Sequence, residues 1–441
     1  MHYYSLNHQS SYVTFEEATI KGQAPDKGLY FPEYIPTLPK GLIQNIKNFS
    51  KEELGLIIMK PFVGETIPET ILKHIVEETI NFDFPLVKVN DNIYALELFH
   101  GPTLAFKDVG ARFMSRCLGY FNRNNDKHTT VLVATSGDTG GAVANGFLGV
   151  EGVDVVILYP SGKVSPIQEL QLTTLGQNIS ALEINGTFDD CQRMVKEVFV
   201  DEDLNKKLSL TSANSINVAR WLPQQLYYFF AYQQWQHEES PVICVPSGNF
   251  GNICAGMVAY ISGLPVKHFI AACNVNDVVP QFLLTGDYKA KAAVATISNA
   301  MDVGDPSNFV RIMELFHQKI ENLKSMLSSY SADDATTKQT IKEVFEKYHY
   351  TLDPHGAVGY YALNKYLSED VGQRPTSAHR SPSAKGIFLE TAHPVKFPET
   401  VEEVTNTKIE IPESVQYLLN RKKQSIKMDA SFEQLKEWLV R

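Results

Sequence analysis

Residues 100–114, HGPTLAFKDVGARFM, set a single lysine, Lys107, between Phe106 and Asp108, just after a Gly-Pro turn and at the start of an apparent helix. Leu104, Ala105 and Phe106 precede the amine, and Val109 and Phe113 follow it. Apolar surroundings disfavour an ammonium and lower its pKa, the condition a lysine needs to attack a carbonyl or to accept a proton near neutrality. The ordinary alternative is a solvated lysine at a helix start.

Two glycine-rich loops could serve such a lysine. In TTVLVATSGDTGGAVANGFLG an apolar strand runs into Ser136, Gly137, Asp138, Thr139, Gly140 and Gly141, then into an Ala/Val/Phe-rich helix. PVICVPSGNFGNICAGMVAY, 241–260, repeats the plan with Gly248, Asn249, Phe250, Gly251 and Asn252. The first amides of a helix lack intrahelical partners and the dipole favours negative charge there, so each loop is a natural anion cradle. Neither reads G-x-G-x-x-G or G-x-x-x-x-G-K-[ST], which removes the main support for a nicotinamide or nucleoside-triphosphate site. Either loop alone could be no more than a tight strand-to-helix connection. A desolvated lysine with one cradle for a cofactor phosphate and another for a substrate carboxylate is the set of parts that pyridoxal-phosphate chemistry requires.

The elements that position these residues follow a clear rhythm. From about Thr130 onward the apolar runs TTVLVA, VDVVILYP, PVICVP, KHFIAA and KGIFLE recur, each bounded by turn residues and mostly followed by a helical stretch. That pattern predicts an α/β fold with a largely parallel sheet. Phe309, Ile312, Met313 and Phe316, and again Ile341, Val344, Phe345 and Tyr348, repeat at i, i+3, i+4, i+7 and mark amphipathic helices. Residues 371–385, VGQRPTSAHRSPSAK, are polar, Pro/Ser-rich and aperiodic, and are expected to form a mobile surface loop. Residues 1–95 lack the strand-glycine-helix rhythm and are expected to form an N-terminal subdomain.

Composition excludes several functional classes. The 441 residues are 44% apolar and 20% charged, within the globular range, and a net charge of −10 without a long basic run argues against nucleic acid and anionic lipid as partners. Cys117, Cys191, Cys244, Cys254 and Cys273 form no C-x-x-C pair, so neither a disulfide framework nor a metal site is expected. No apolar run approaches the ~18 residues of a membrane span, and MHYYSLNHQSSYVTFEE lacks the features of a signal peptide. A cytoplasmic protein acting on small molecules is the expectation.

HGPTLAFKD, ATSGDTGGA, YPSGKVSPIQ, NSINVARWLPQ, PSGNFGN and TAHPVKFPE, in that order, resemble the threonine synthases of the bacterial and fungal type. The resemblance runs from GLYFPE to TAHPVKF. It implies the tryptophan synthase β-like fold, fold type II of the pyridoxal-phosphate enzymes: two α/β domains with open sheets around the cofactor, after the N-terminal subdomain. Residues 96–215 would form the smaller domain, with the lysine and the carboxylate loop, and 216–441 the larger, with the phosphate loop.

Residue by residue, the resemblance implies that Lys107 carries pyridoxal 5'-phosphate covalently and that Gly248, Asn249, Phe250, Gly251 and Asn252 cup its phosphate. Thr391 would face the pyridine nitrogen, and Ser136, Gly137, Asp138 and Thr139 would grip the substrate α-carboxylate. Relatives acting on serine derivatives often carry Asn where this chain has Asp138, which favours the narrower family. The implied substrate is O-phospho-L-homoserine, converted with water to L-threonine and inorganic phosphate by γ-elimination and β-addition. Ser215, Asn217 and Arg220 offer a hydroxyl, an amide and a guanidinium for its phosphate, with Lys163 as a further candidate beside the Ser165-Pro166 helix start.

The rival within the fold group is a phospholyase giving a 2-keto acid; outside it, a non-catalytic ligand-binding relative. A monomer or homodimer is expected. His100 and His393 are left without a role, Asp108 is expected to cap or orient the lysine's helix, and the Asp353, Pro354, His355, Gly356 turn is read as a simple helix start.

Overall fold

The computed structural model describes residues 1–123, 128–369 and 384–441. Of the expected surface loop at 371–385, residues 371–383 lie outside the described residues.

Thirteen strands are present among the described residues: β1 (Tyr3–Ser5), β2 (Tyr30–Pro32), β3 (Leu86–Lys88), β4 (Ile93–Glu97), β5 (Thr129–Ala134), β6 (Val153–Pro160), β7 (Ile179–Asn185), β8 (Ser209–Ser212), β9 (Val242–Pro246), β10 (His268–Cys273), β11 (Leu327–Ser331), β12 (Gly386–Glu390) and β13 (Ile426–Asp429). β5, β9, β10 and β12 are buried at every position. Continuous rather than alternating burial is what a parallel sheet covered on both faces produces, and it explains why these strands read as unbroken apolar runs.

The strands form two open sheets and a ribbon. The larger sheet has the order β11-β10-β9-β12-β4-β3, parallel throughout except for the antiparallel edge pair β3-β4. The smaller sheet, β13-β7-β6-β5-β8, is entirely parallel. β1 and β2 pair as a separate antiparallel ribbon. The expected α/β class with largely parallel sheets is observed, as are the helices Phe309–Leu315 and Asp334–Tyr348.

Sheet membership does not follow the boundaries read from the sequence. β3 and β4 belong to the larger sheet, so a boundary at residue 95 cuts through β4. β13 joins the smaller sheet beside β7, from Ile426 opposite Leu182 to Asp429 opposite Asn185, although its residues were expected in the larger domain. The reason is physical: of the four residues of β13 only Met428 is buried, too little to leave a periodicity in the sequence.

The N-terminal segment contributes the helices Phe15–Lys21, Lys51–Val63 and Glu69–Thr79, the first two opened by reciprocal capping boxes at Thr14 and Ser50. It packs directly on the elements that carry the candidate site. The Phe15 ring lies 6.4 Å from Phe113, and Phe31 stacks on Trp221 at 6.1 Å. Among the described residues no helix is long and apolar enough to cross a membrane.

Candidate active site

In open α/β sheets, binding sites gather beyond the carboxyl ends of the strands. Here three neighbouring strands of the larger sheet, β4, β12 and β9, deliver the candidate residues from those ends. After β4 the chain turns into the helix Lys107–Asn122, after β12 it reaches Thr391, and after β9 it enters the Gly248 loop. The Ser136 loop leaves the same end of β5 in the smaller sheet.

Lys107 is the first residue of its helix, and the turn before it is stitched to the continuation of β12. Leu104 adopts a left-handed backbone (φ 58°), Ala105 bridges to Ala392, and the Phe106 amide donates to the Thr391 carbonyl at 2.9 Å. The lysine side chain is 15% exposed. Its Nζ lies 3.6 Å from Asp138 Oδ2 and 5.0 Å from the centre of the Phe106 ring. Burial holds the amine below its ordinary pKa, against the pull of Asp138 and aided by the positive charges of Lys396 and Arg220. The amine is buried beside the Phe106 ring, and its surroundings also hold the charges of Asp138, Lys396 and Arg220. Asp108 orients the turn, since its buried carboxylate accepts from the Thr103 amide at 2.9 Å and from the Thr103 hydroxyl.

Asp138 is buried between cations. Lys396 Nζ stands 2.6 Å from its Oδ1 and donates to the Thr103 carbonyl at 2.8 Å, while Gln168 Nε2 donates to the same Oδ1 at 2.7 Å. Burial opposes ionisation of Asp138, but Lys396 and Lys107 outweigh it and hold the carboxyl below its usual range. Lys396 escapes sequence reasoning altogether. It sits inside TAHPVKFPE, yet nothing local marks a lysine as fully buried, and only the approach of Asp138 from the other sheet explains it. In the Ser136 loop, the amides of Gly137 and Gly140 both donate to Thr135 Oγ1, at 3.0 and 2.9 Å, so part of the expected amide cradle is satisfied internally. The hydroxyl-bearing Ser136 and Thr139 remain partly exposed.

The second loop runs straight into its helix. Phe250 takes a left-handed backbone (φ 61°) and the helix Gly251–Ser262 begins at once. Gly248 allows a close approach: a Cβ there would lie 2.8 Å from the Ala300 carbonyl oxygen and 2.9 Å from Met301 Cα. Asn249 is exposed and accepts from Ser307 Oγ at 3.1 Å. Asn252 is buried, its Oδ1 accepting from the Tyr228 hydroxyl at 2.8 Å, and its Nδ2 has no partner. Thr391 is buried at the end of β12.

The residues expected to serve a substrate phosphate separate. Arg220 is buried with Nε and Nη1 both unpartnered, and burial brings its guanidinium down to about 10. It is brought against the lysine's helix because Gly110 has no side chain; a Cβ there would meet the Arg220 carbonyl at 2.4 Å. Ser215 is partly exposed and its Oγ accepts from Asn308 Nδ2 at 3.1 Å.

Asn217 does not fit the phosphate role. Its Oδ1 caps the helix Val218–Trp221 through the Ala219 amide at 3.0 Å, and its Nδ2 donates to the Thr19 and Ser212 carbonyls at 2.8 and 3.4 Å. The side chain is wholly buried and committed to backbone. Lys163 lies exposed in the turn after β6. His393 Nδ1 accepts from the Val395 amide at 3.1 Å and His100 Nε2 meets Glu97 at 2.7 Å, so both have structural partners.

Comparison with known proteins places this arrangement. The family model for pyridoxal-phosphate-dependent enzymes matches residues 81–375, that for the threonine synthase N terminus matches 2–80, and that for the threonine synthase C-terminal region matches 357–439. The threonine synthase of Haemophilus influenzae is 43% identical over 443 residues, covering 100% of both chains. The crystal structure of threonine synthase from Escherichia coli matches with a TM-score of 0.90 and 43% identity, covering 100% of this chain and 99% of that one. A pyridoxal-phosphate-bound threonine synthase from Brucella melitensis matches with a TM-score of 0.92 and 34% identity, covering 100% and 98%.

Proposed function

This chain belongs to the threonine synthase family, and within it we propose how its residues carry out the conversion of O-phospho-L-homoserine and water to L-threonine and inorganic phosphate. The fold is the tryptophan synthase β-like fold type II, and the enzyme is pyridoxal-phosphate dependent.

The residues present fit the cofactor. The Gly248 to Asn252 loop opens a helix with free amides, Asn252 Nδ2 is buried without a partner, and Lys107 is held in a desolvated position. Lys107 would carry the cofactor covalently, Gly248, Asn249, Phe250, Gly251 and Asn252 would hold its phosphate, and Thr391 would meet the ring nitrogen. Bound there, pyridoxal phosphate supplies an electron sink for negative charge developing beside the substrate's Cα.

Lys107 Nζ, when its amine is free, would act as base and acid at the substrate carbons next to it. A depressed pKa suits an amine that must give and take protons near neutrality. Ser136 and Thr139 hold the substrate α-carboxylate through their hydroxyls and amides, while Gly137, its own amide held by Thr135 Oγ1, makes the turn between them. Asp138 acts differently, because an ionised carboxylate repels another; it sets the loop and the charge of Lys107 through its ion pairs. Arg220, with two buried donors free, receives the phosphate that leaves from Cγ, and Ser215 borders it. Lys163 would join only if its exposed turn closes over the substrate. Water then adds at Cβ.

The single observation that carries the assignment of roles is a buried amine with lowered pKa, set between an ionised aspartate and a buried arginine with unused donors. We read the protein as a cytoplasmic monomer or homodimer, in keeping with five buried unpaired cysteines. Incubation with O-phospho-L-homoserine should yield threonine and phosphate in equal amounts. Phosphate accompanied by 2-oxobutyrate in place of threonine would instead make the protein a phospholyase.

A further inference from the structure

We infer that His355 positions the cofactor-phosphate loop, as the far end of a buried Glu390, Asp353, His355 chain that ties that loop to Thr391. The inference rests on the reading of Gly248 to Asn252 and Thr391 as cofactor contacts.

The chain of contacts is continuous. Glu390 ends β12 and immediately precedes Thr391. Its Oε1 accepts from the Asp353 amide at 2.7 Å. Asp353 caps the helix Pro354–Ser368, its Oδ1 accepting from the His355 amide at 2.8 Å and its Oδ2 from the Gly356 amide at 3.2 Å. The imidazole Nδ1 of His355 lies 2.5 Å from Asp353 Oδ1, and its Nε2 accepts from the Ala300 amide at 3.2 Å. Ala300 and Met301 are the backbone against which Gly248 rests. All three side chains are buried.

The protonation pattern follows from the donors available. Because Nε2 receives an N–H, the ring proton sits on Nδ1 and is donated to Asp353. Burial, reinforced by the Asp353 carboxylate, pushes the Glu390 carboxyl well up. Its Oε2 occupies the space a side chain at 356 would need, 1.5 Å from where a Cβ on Gly356 would stand.

Helix capping accounts for Asp353 alone. It does not account for an imidazole that reaches 55 residues back to one backbone amide, nor for a helix start kept bare to admit a carboxyl group. Both features make sense if the turn at Asn299–Met301 must stay fixed under Gly248, since amides that cradle an anion work only when held in place. Phe397, edge-on to the imidazole at 5.0 Å, fixes its plane.

The test compares His355→Leu, which removes the acceptor, His355→Asn, which is polar but too short to reach Ala300, and His355→Gln, which can restore it. Three quantities are read: pyridoxal-phosphate affinity of the apoenzyme by equilibrium dialysis, the 31P chemical shift of bound cofactor, and the apoenzyme melting temperature. Leaving one buried amide without an acceptor should weaken cofactor binding roughly tenfold in the Leu and Asn variants and move the 31P signal. The Gln variant should recover to within about threefold. Unchanged affinity and shift in a folded Leu or Asn variant overturn the inference, as does loss of affinity that Gln fails to rescue. A wild-type protein that binds no pyridoxal phosphate overturns the functional reading itself.

Discussion

Lys396 and Lys107, 289 positions apart in the chain, share one carboxylate: Asp138 Oδ1 is 2.6 Å from Lys396 Nζ, and its Oδ2 is 3.6 Å from Lys107 Nζ. A negative charge thus stands between a lysine proposed to react and one that cannot leave. Lys396 opposes what Asp138 does to Lys107, and together with burial it keeps the amine below its ordinary pKa.

Lys396→Met removes that opposing charge. Asp138 would then pair with Lys107 alone and raise its pKa, so the alkaline rise in the rate of cofactor attachment, followed by visible absorbance against pH, should shift upward. Breaking a buried ion pair should also lower stability by about 3 kcal/mol, measured by denaturant titration. A variant with an unshifted pH profile would mean that Asp138 and Lys396 serve the fold only.

Lys107→Ala should remove both turnover and the covalent link. Borohydride treatment of the wild type followed by peptide mapping should place the reduced cofactor on residue 107, and the variant should carry none. An adduct on Lys396 or any other lysine would reassign the site.

Arg220 and Asn217 should part company. Arg220→Gln should raise KM for the phosphorylated substrate by roughly tenfold to a hundredfold, the cost of losing a charge-assisted contact to an anion, with little change in cofactor affinity. Asn217→Ala should leave that KM near wild type and instead destabilise the protein by about 1–2 kcal/mol, through a lost cap. The reverse pattern in steady-state kinetics and thermal melts would exchange their roles.

His393 supplies a pH test. Burial lowers its imidazole to about 4, below the ~6.5 of an unfolded chain. The folded state therefore holds the neutral ring, so its contribution to stability is complete above about pH 6.5 and is lost as pH falls toward 4. Nitrogen-detected NMR should find Nδ1 unprotonated at pH 6, accepting from Val395. A titration midpoint near 6.5 would show that the buried setting is wrong.

What the sequence made legible was whatever repeats or sits in a motif. The runs that became β5, β9 and β12 are buried on both faces and leave long apolar signatures, and Lys107 announces itself through apolar neighbours. Lys396, Asn217 and His355 carry no such signal. Each is defined by a partner far along the chain: Asp138 for the first, the Thr19 carbonyl for the second, the Ala300 amide for the third. Polar residues buried by distant partners have the same local sequence as polar residues in water. The Ser136 to Gly141 stretch forms the strand-to-helix turn its glycines suggest, but the Thr135 hydroxyl that takes up two of its amides leaves no mark in the spacing.

The placement of β13 has a consequence for biosynthesis. Asn185 and Asp429, side by side across the β7-β13 seam, are 244 residues apart. At ordinary translation speeds of ~5–20 residues per second, the ribosome needs roughly 12 to 50 s between making one and the other. Throughout that interval the nascent β7 presents a bare edge, a template for unwanted pairing with other chains. A cell that makes this protein in quantity has reason to keep that edge company until the last strand arrives.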